Sequence, residues 1–228
     1  MNQPKTRLNK YLALALGFSR READDLIANG EVEVNGTVAI LGTSVTENDA
    51  VSVKGKLLGA KPAYQYIAFH KPLGYVCSRK AQGENSTIYD ILPVDMNNLK
   101  PVGRLDKTSS GLILLTNDGD FAHQMTHPSF HKTKIYNVKL AQPLTPLHQQ
   151  MISDYGVEIG DGSSKLGLER SDDTRLNWTV TMSEGRNRQI RRTFAALGYD
   201  ITSLHRTVFG PYHIDDLAEG ETRVVSRL

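Results

Sequence analysis

The sequence predicts an α+β protein: a small helix-helix-strand unit followed by a larger domain around a mainly antiparallel sheet. Three observations carry this. Helix-like and strand-like runs alternate along the chain, the first quarter holds its own helices and hairpin, and a Gly- and Pro-containing stretch, LLGAKPA, separates the two parts. The expected domains are 1–58 and 62–228.

In the first part, LNKYLALALG carries apolar residues at helical spacing and stops at Gly17. SRREADDLIANG opens with a capping box, Ser19 to Glu22, and closes at Gly30. EVEVNGTVAI alternates around Asn35-Gly36, a strong signal for a two-residue hairpin, and VSVKGKLL supplies a further strand. In the second part YQYIAF, GLILLT, KIYNVKL and LNWTVTM read as strands, and the stretches 120–126, 144–154 and 187–197 read as helices. IGDGSSKLG marks a loop within the domain.

The 228 residues are enough for a sizeable core, and no run of about 18 apolar residues would span a bilayer. The N-terminus is too polar for a signal peptide, so a cytoplasmic location is expected. The single cysteine, Cys77, excludes an intramolecular disulfide and a cysteine-based zinc site. His123 and His127 share a helical face, but nothing completes a ligand set, so no metal is expected. GxxxxGK[ST], GxGxxG and GxSxG are all missing, which removes the usual support for nucleotide hydrolysis, dinucleotide binding and a serine hydrolase.

The net charge of +2 says little, but its distribution says more. Lys5, Arg7, Lys10, Arg20 and Arg21 stand in a segment without acids, as do Arg186, Arg188, Arg191 and Arg192. Two concentrated basic patches point to a localised anionic partner. Arginines at a helix start do not favour the macrodipole, so Arg7, Arg20 and Arg21 suit phosphates better than helix stability.

The stretch GRLDKTSSGLILLTNDG places Asp106 between Arg104 and Lys107. Asp-Lys-Thr also occurs at aspartyl-phosphate nucleophiles, but there an apolar strand leads into the aspartate; here the apolar run follows it. On the helix NRQIRRTFAALG, Ile190, Phe194 and Leu197 share a face, Arg188 and Arg192 point roughly opposite, and Arg191 lies at the edge of the apolar stripe. Arg191 can therefore look into a cleft, where an arginine close to Asp106 would hold the carboxylate ionised, although pairing with a structural acid or with water reads the same way. Tyr136, interleaved with Lys132, Lys134 and Lys139, fits a base-stacking aromatic, although an ordinary strand tyrosine reads the same way.

Several segments together resemble known families. RLNKYLALALGFSRREADDLIANGEVEVNG looks like an S4 RNA-binding domain. HKPLGYVCS, GRLDKTSSGLILLTNDG, KIY and EGRNRQIRRTFAALGYDITSLHR resemble the RsuA/RluB-type ribosomal RNA pseudouridine synthases, with Thr193 and the pair Asn187-Arg188 as small departures. The resemblance implies a mixed sheet flanked by helices and an isomerase that detaches uracil from ribose C1′, rotates it and reattaches it through C5. It implies no cofactor and no metal. Asp106 matches the essential aspartate, acting as nucleophile or on the sugar; Tyr136 matches the stacking tyrosine, and Arg191 the basic partner of the aspartate. Arg7, Lys10, Arg20, Arg21, Lys71, Arg104, Lys134 and Arg188 are the expected RNA contacts.

The expected partner is ribosomal RNA or a pre-ribosomal particle, with small-subunit rRNA favoured and large-subunit rRNA the alternative. A non-catalytic S4 assembly factor is the alternative of another class. Nothing in the sequence demands more than a monomer.

Overall fold

The computed structural model describes residues 5–60, 62–79 and 83–228. The chain forms two compact units, Met1–Gln65 and Tyr66–Leu228.

In the first unit, helices α1 (Leu8–Leu16) and α2 (Arg20–Ala28) bury Leu8, Tyr11 and Leu12, and Ala23 and Ile27, at the spacing of one helical face. Each fully buried leucine contributes about 1.5–3 kcal/mol. Helix α1 ends on Gly17 in the left-handed region. The capping box of α2 is formed, with Ser19 N donating to Glu22 Oε2 at 2.7 Å and Glu22 N to Ser19 Oγ at 3.2 Å. A four-stranded sheet packs on them, built from β1 (Val32–Val34), β2 (Thr37–Val38), β3 (Val51–Val53) and β4 (Lys56–Leu57) in the order β2-β1-β3-β4. Asn35 and Gly36 both have positive φ, as a tight two-residue hairpin requires. VSVKGKLL is not one strand but a second hairpin, because Lys54-Gly55 repeats that conformation.

The second unit is a nine-stranded mixed sheet. Its strands are β5 (Tyr66–Lys71), β6 (Lys100–Val102), β7 (Ser110–Thr116), β8 (Lys134–Leu140), β9 (Gly167–Arg170), β10 (Asn177–Met182), β11 (Ile201–Phe209), β12 (Tyr212–His213) and β13 (Thr222–Val224). The main order is β9-β10-β8-β11-β7-β5-β13, with β12 on β11 and β6 on β7. The pair β11–β7 is parallel; the other pairs in this sheet are antiparallel.

Strand β7 is apolar from Leu112 to Leu115 because both its faces are covered there. Ile113 and Leu115 join the larger core with Phe69, Val138, Trp178, Val180 and Ile190. Leu112 and Leu114 face the other way, against Phe121 and Met125 of α3 (Gly119–Thr126). The stretch 144–154 does not form one helix: α4 (Pro146–Gln150) passes into a single π turn, Met151–Tyr155, that ends at Gly156. Helix α5 (Gln189–Ala195) is shorter than 187–197 and buries Gln189, Ile190, Thr193 and Phe194. Among the described residues no helix is long and apolar enough to cross a membrane.

Candidate active site

Asp106 lies in the loop that leaves β6 through Gly103, at φ +71, and enters β7. The loop turns on itself, with Ser109 N donating to the Asp106 carbonyl at 3.0 Å. It is also fastened from several sides. Gly74 N donates to Lys107 O at 2.8 Å, and Leu105 N reaches Cys77 Sγ at 3.5 Å. Arg191 donates to Thr108 O at 2.7 Å and to Ser109 Oγ at 3.3 Å through Nη2, and to Ile201 O at 3.3 Å through Nη1.

Lys71 is a further fastening, and its position corrects an expectation. It is 0% exposed, and Nζ donates to the carbonyls of Pro72 and Ser109, both at 2.8 Å. Its place at the end of β5 turns the side chain inward, so it does not meet RNA from the surface. Burial pulls its pKa below the ordinary lysine range, partly offset by Cys77, Asp106 and Glu219 nearby.

The Asp106 carboxylate accepts from Arg188, Nη1 to Oδ2 at 3.2 Å. Arg191 is not its direct ion-pair partner, contrary to the helical-wheel reading. The reason lies in the local backbone: Arg188 is the N-cap of α5, in the left-handed region at φ 48, so a wheel drawn through it misplaces its side chain. Arg191 remains within electrostatic reach; burial and the charge of Arg188 lower its pKa, while Asp106 opposes them.

Tyr136, on β8, is buried and pairs across the sheet with Val180 on one side and Arg206 on the other. With Asp106, Arg188 and Arg191 it lines one cleft of about 280 Å³. That volume is near the lower end of the usual small-molecule range, roughly 300–1,000 Å³, and suits a single nucleoside. The four residues come from three distant stretches of sequence, and the sheet and α5 bring them together.

The other expected RNA contacts divide by exposure. Arg104 is exposed at the cleft wall. Lys134 lines the cleft but is mostly buried, donating to Glu184 O at 3.1 Å; burial and then Arg206 lower its pKa. Its charge therefore belongs to the interior of the cleft. In the first unit Arg7, Arg20 and Arg21 are exposed and Lys10 is half-buried.

Sequence reasoning gave Arg206 no role, although it too lines the cleft. The signal that could have found it was its alternation with Leu204 on an otherwise inward-facing strand pattern, which makes it a buried cation. Thr193, a departure from the family pattern, is also fully buried; its hydroxyl lies 2.7 Å from Ser164 Oγ and 2.9 Å from Gln189 O, so the polar group is satisfied.

Comparison with known proteins gives the family. The family model "RNA pseudouridylate synthase" matches residues 65–196, and the S4 domain model matches residues 6–51. Ribosomal small subunit pseudouridine synthase A of Pasteurella multocida is 39% identical, with 96% of each chain covered. Ribosomal large subunit pseudouridine synthase B of Bacillus subtilis is 33% identical, covering 95% of this chain and 91% of that one. A crystal structure described as a pseudouridylate synthase superposes with a TM-score of 0.69 at 34% identity, covering 96% of both chains. With likeness running through both units and through the cleft-bearing sheet, the chain belongs to the RNA pseudouridylate synthase family, carries an S4 domain, and is a pseudouridine synthase, an isomerase.

Proposed function

We propose that the protein isomerises a uridine of ribosomal RNA, with small-subunit rRNA as substrate, and that Asp106, Tyr136, Arg188 and Arg191 form its working centre. The observation that carries this is the single cleft lined by all four side chains, with the Asp106 carboxylate paired to a cation at 3.2 Å. Small-subunit enzymes of Pasteurella multocida and Vibrio vulnificus, at 39% and 35% identity, support the choice of substrate. The large-subunit relative of Bacillus subtilis, at 33%, keeps large-subunit rRNA as the second reading.

The target nucleotide must leave its stack to enter the cleft, which costs a few kcal/mol. Stacking on Tyr136, worth about 1–3 kcal/mol, and phosphate contacts offset that cost. Asp106, paired with Arg188, attacks C1′; Arg191 and Lys71 fix the loop so that the carboxylate keeps its approach. The base turns and C5 bonds to C1′ as the carboxylate departs. Enclosure by the cleft walls keeps water from the open sugar carbon. The convergence of these groups favours catalysis over a mere docking platform for RNA.

Tritium release from C5-labelled uridine in rRNA transcripts tests the assignment. Asp106→Asn is expected to fold, bind the transcript and release no tritium; release at a rate near wild type would overturn the role of Asp106. Mapping carbodiimide-dependent stops on both rRNAs from a deletion strain decides between the subunits, and loss of a stop in large-subunit rRNA alone would replace the first reading by the second.

A further inference from the structure

Arg206 is 2% exposed yet lines the cleft. On β11 it stands opposite Tyr136 on one side and Gly111 on the other. Its Nε donates to Leu112 O at 2.7 Å, and its guanidinium carbon lies 4.7 Å from the Phe209 ring centre and 6.0 Å from that of Tyr136. The terminal Nη2 is buried and has no acceptor among the described residues. The Asp106 carboxylate is not that acceptor: it pairs with Arg188 and makes no hydrogen bond to Arg206. A buried cationic donor left without an acceptor is costly, so the free donor points to a group that arrives with the substrate.

We infer that Arg206 touches the uracil base through Nη2 and stabilises the negative charge the base carries once it is detached. This rests on the reading of the cleft as the uridine site. When the C1′–N1 bond breaks, its electron pair stays on N1 and spreads to the carbonyl oxygens O2 and O4, while the carboxylate bonds to C1′. In the return step C5 bonds to C1′, the carboxylate leaves with the electron pair of its bond, C5 gives up its proton and N1 gains one. Nothing enters from outside. A donor fixed in a dry wall beside Tyr136, the stacking surface, interacts more strongly with the anionic base than with the neutral one, which is the condition for accelerating cleavage. A phosphate of the flipped nucleotide is the other oxygen acceptor of this chemistry, but the burial of Nη2 beside the aromatic wall favours the base.

The test uses the full chain and rRNA transcripts made with uridine or with 5-fluorouridine, whose base is a better leaving group and needs less stabilisation. In single-turnover reactions R206M is expected to lose about 100- to 1,000-fold in rate on uridine, with RNA affinity within about threefold of wild type, and to lose at least about tenfold less on 5-fluorouridine. Consumption of 5-fluorouridine is followed by nuclease digestion and mass spectrometry. R206K, which keeps the charge and an ammonium donor, is expected to recover part of the uridine rate and carries the comparison should R206M melt early. Equal losses on the two bases, or wild-type rates in both variants, would overturn the role. An affinity loss that a methylphosphonate beside the target uridine reproduces in the wild type would reassign Nη2 to phosphate. Turnover by Asp106→Asn would instead overturn the reading of the cleft itself.

Discussion

Lys71 holds an ammonium group where water does not reach it, and its two carbonyl partners belong to Pro72 and to Ser109, at the end of the Asp106 loop. Removing it leaves those acceptors buried without donors, a cost of about 1–3 kcal/mol. Lys71→Met is therefore expected to lower stability by that amount in urea titrations and to slow the single-turnover rate, while leaving the affinity for RNA unchanged. A weakened affinity at unaltered stability would return Lys71 to the RNA-binding surface. Arg188 and Arg191 divide in a similar way: one meets the carboxylate, the other meets the backbone that presents it. Neither division was legible in the sequence. Spacing ranks arginines on a helix only where the helix exists, and α5 begins one residue after Arg188.

At the scale of elements, the seam between the parallel strands β7 and β11 positions the site. Arg206 pairs with Gly111, whose φ is +108. A Cβ there would stand 2.2 Å from the Arg206 carbonyl oxygen and 2.5 Å from its nitrogen, both backbone atoms that cannot swing aside. Gly111→Ala is expected to cost roughly 3 kcal/mol or more, from left-handed strain and overpacking together, and to displace Arg206. Gly119→Ala, where an added methyl meets nothing within 4 Å and φ is not positive, is the matched control. It is expected to be neutral or to stabilise by up to about 1 kcal/mol in the same denaturation series. The glycine that opens the apolar run after Asp106 is thus explained by the strand beside it, which no local pattern names. By contrast, the capping box Ser19–Glu22 and the turn Asn35-Gly36 were legible because their partners lie within a few residues.

At the scale of the molecule, the proposed RNA contacts lie one set in each unit: the cleft in the second and basic side chains on the S4-bearing first. Arg7, Arg20 and Arg21 are exposed around the starts of α1 and α2, where they do nothing for the helix dipoles. Replacing all three by Gln is expected to weaken binding to rRNA and to flatten the dependence of log K on log salt by about 0.7–0.9 for every phosphate that is no longer neutralised. Filter binding across a salt series checks this, and an unchanged slope would remove these arginines from the RNA surface. The proposed division of labour keeps affinity adjustable in one unit without disturbing the groups held around Asp106 in the other.

The sequence by itself determined the class of fold, the helices and the Asn35-Gly36 hairpin of the first unit, and the apolar strand that follows Asp106. These follow from periodicity, caps and turns, whose causes act over a few residues, and from motif resemblance. Only the tertiary structure decided which cation meets Asp106, that Lys71 is a buried brace, and that Arg206 stands in the cleft wall with a free donor. Those outcomes depend on side chains from β5, β7, β8, α5 and β11 arriving at one place. Burial and pairing across a sheet join residues up to about a hundred positions apart, as with Arg206 and Leu112 at a separation of 94.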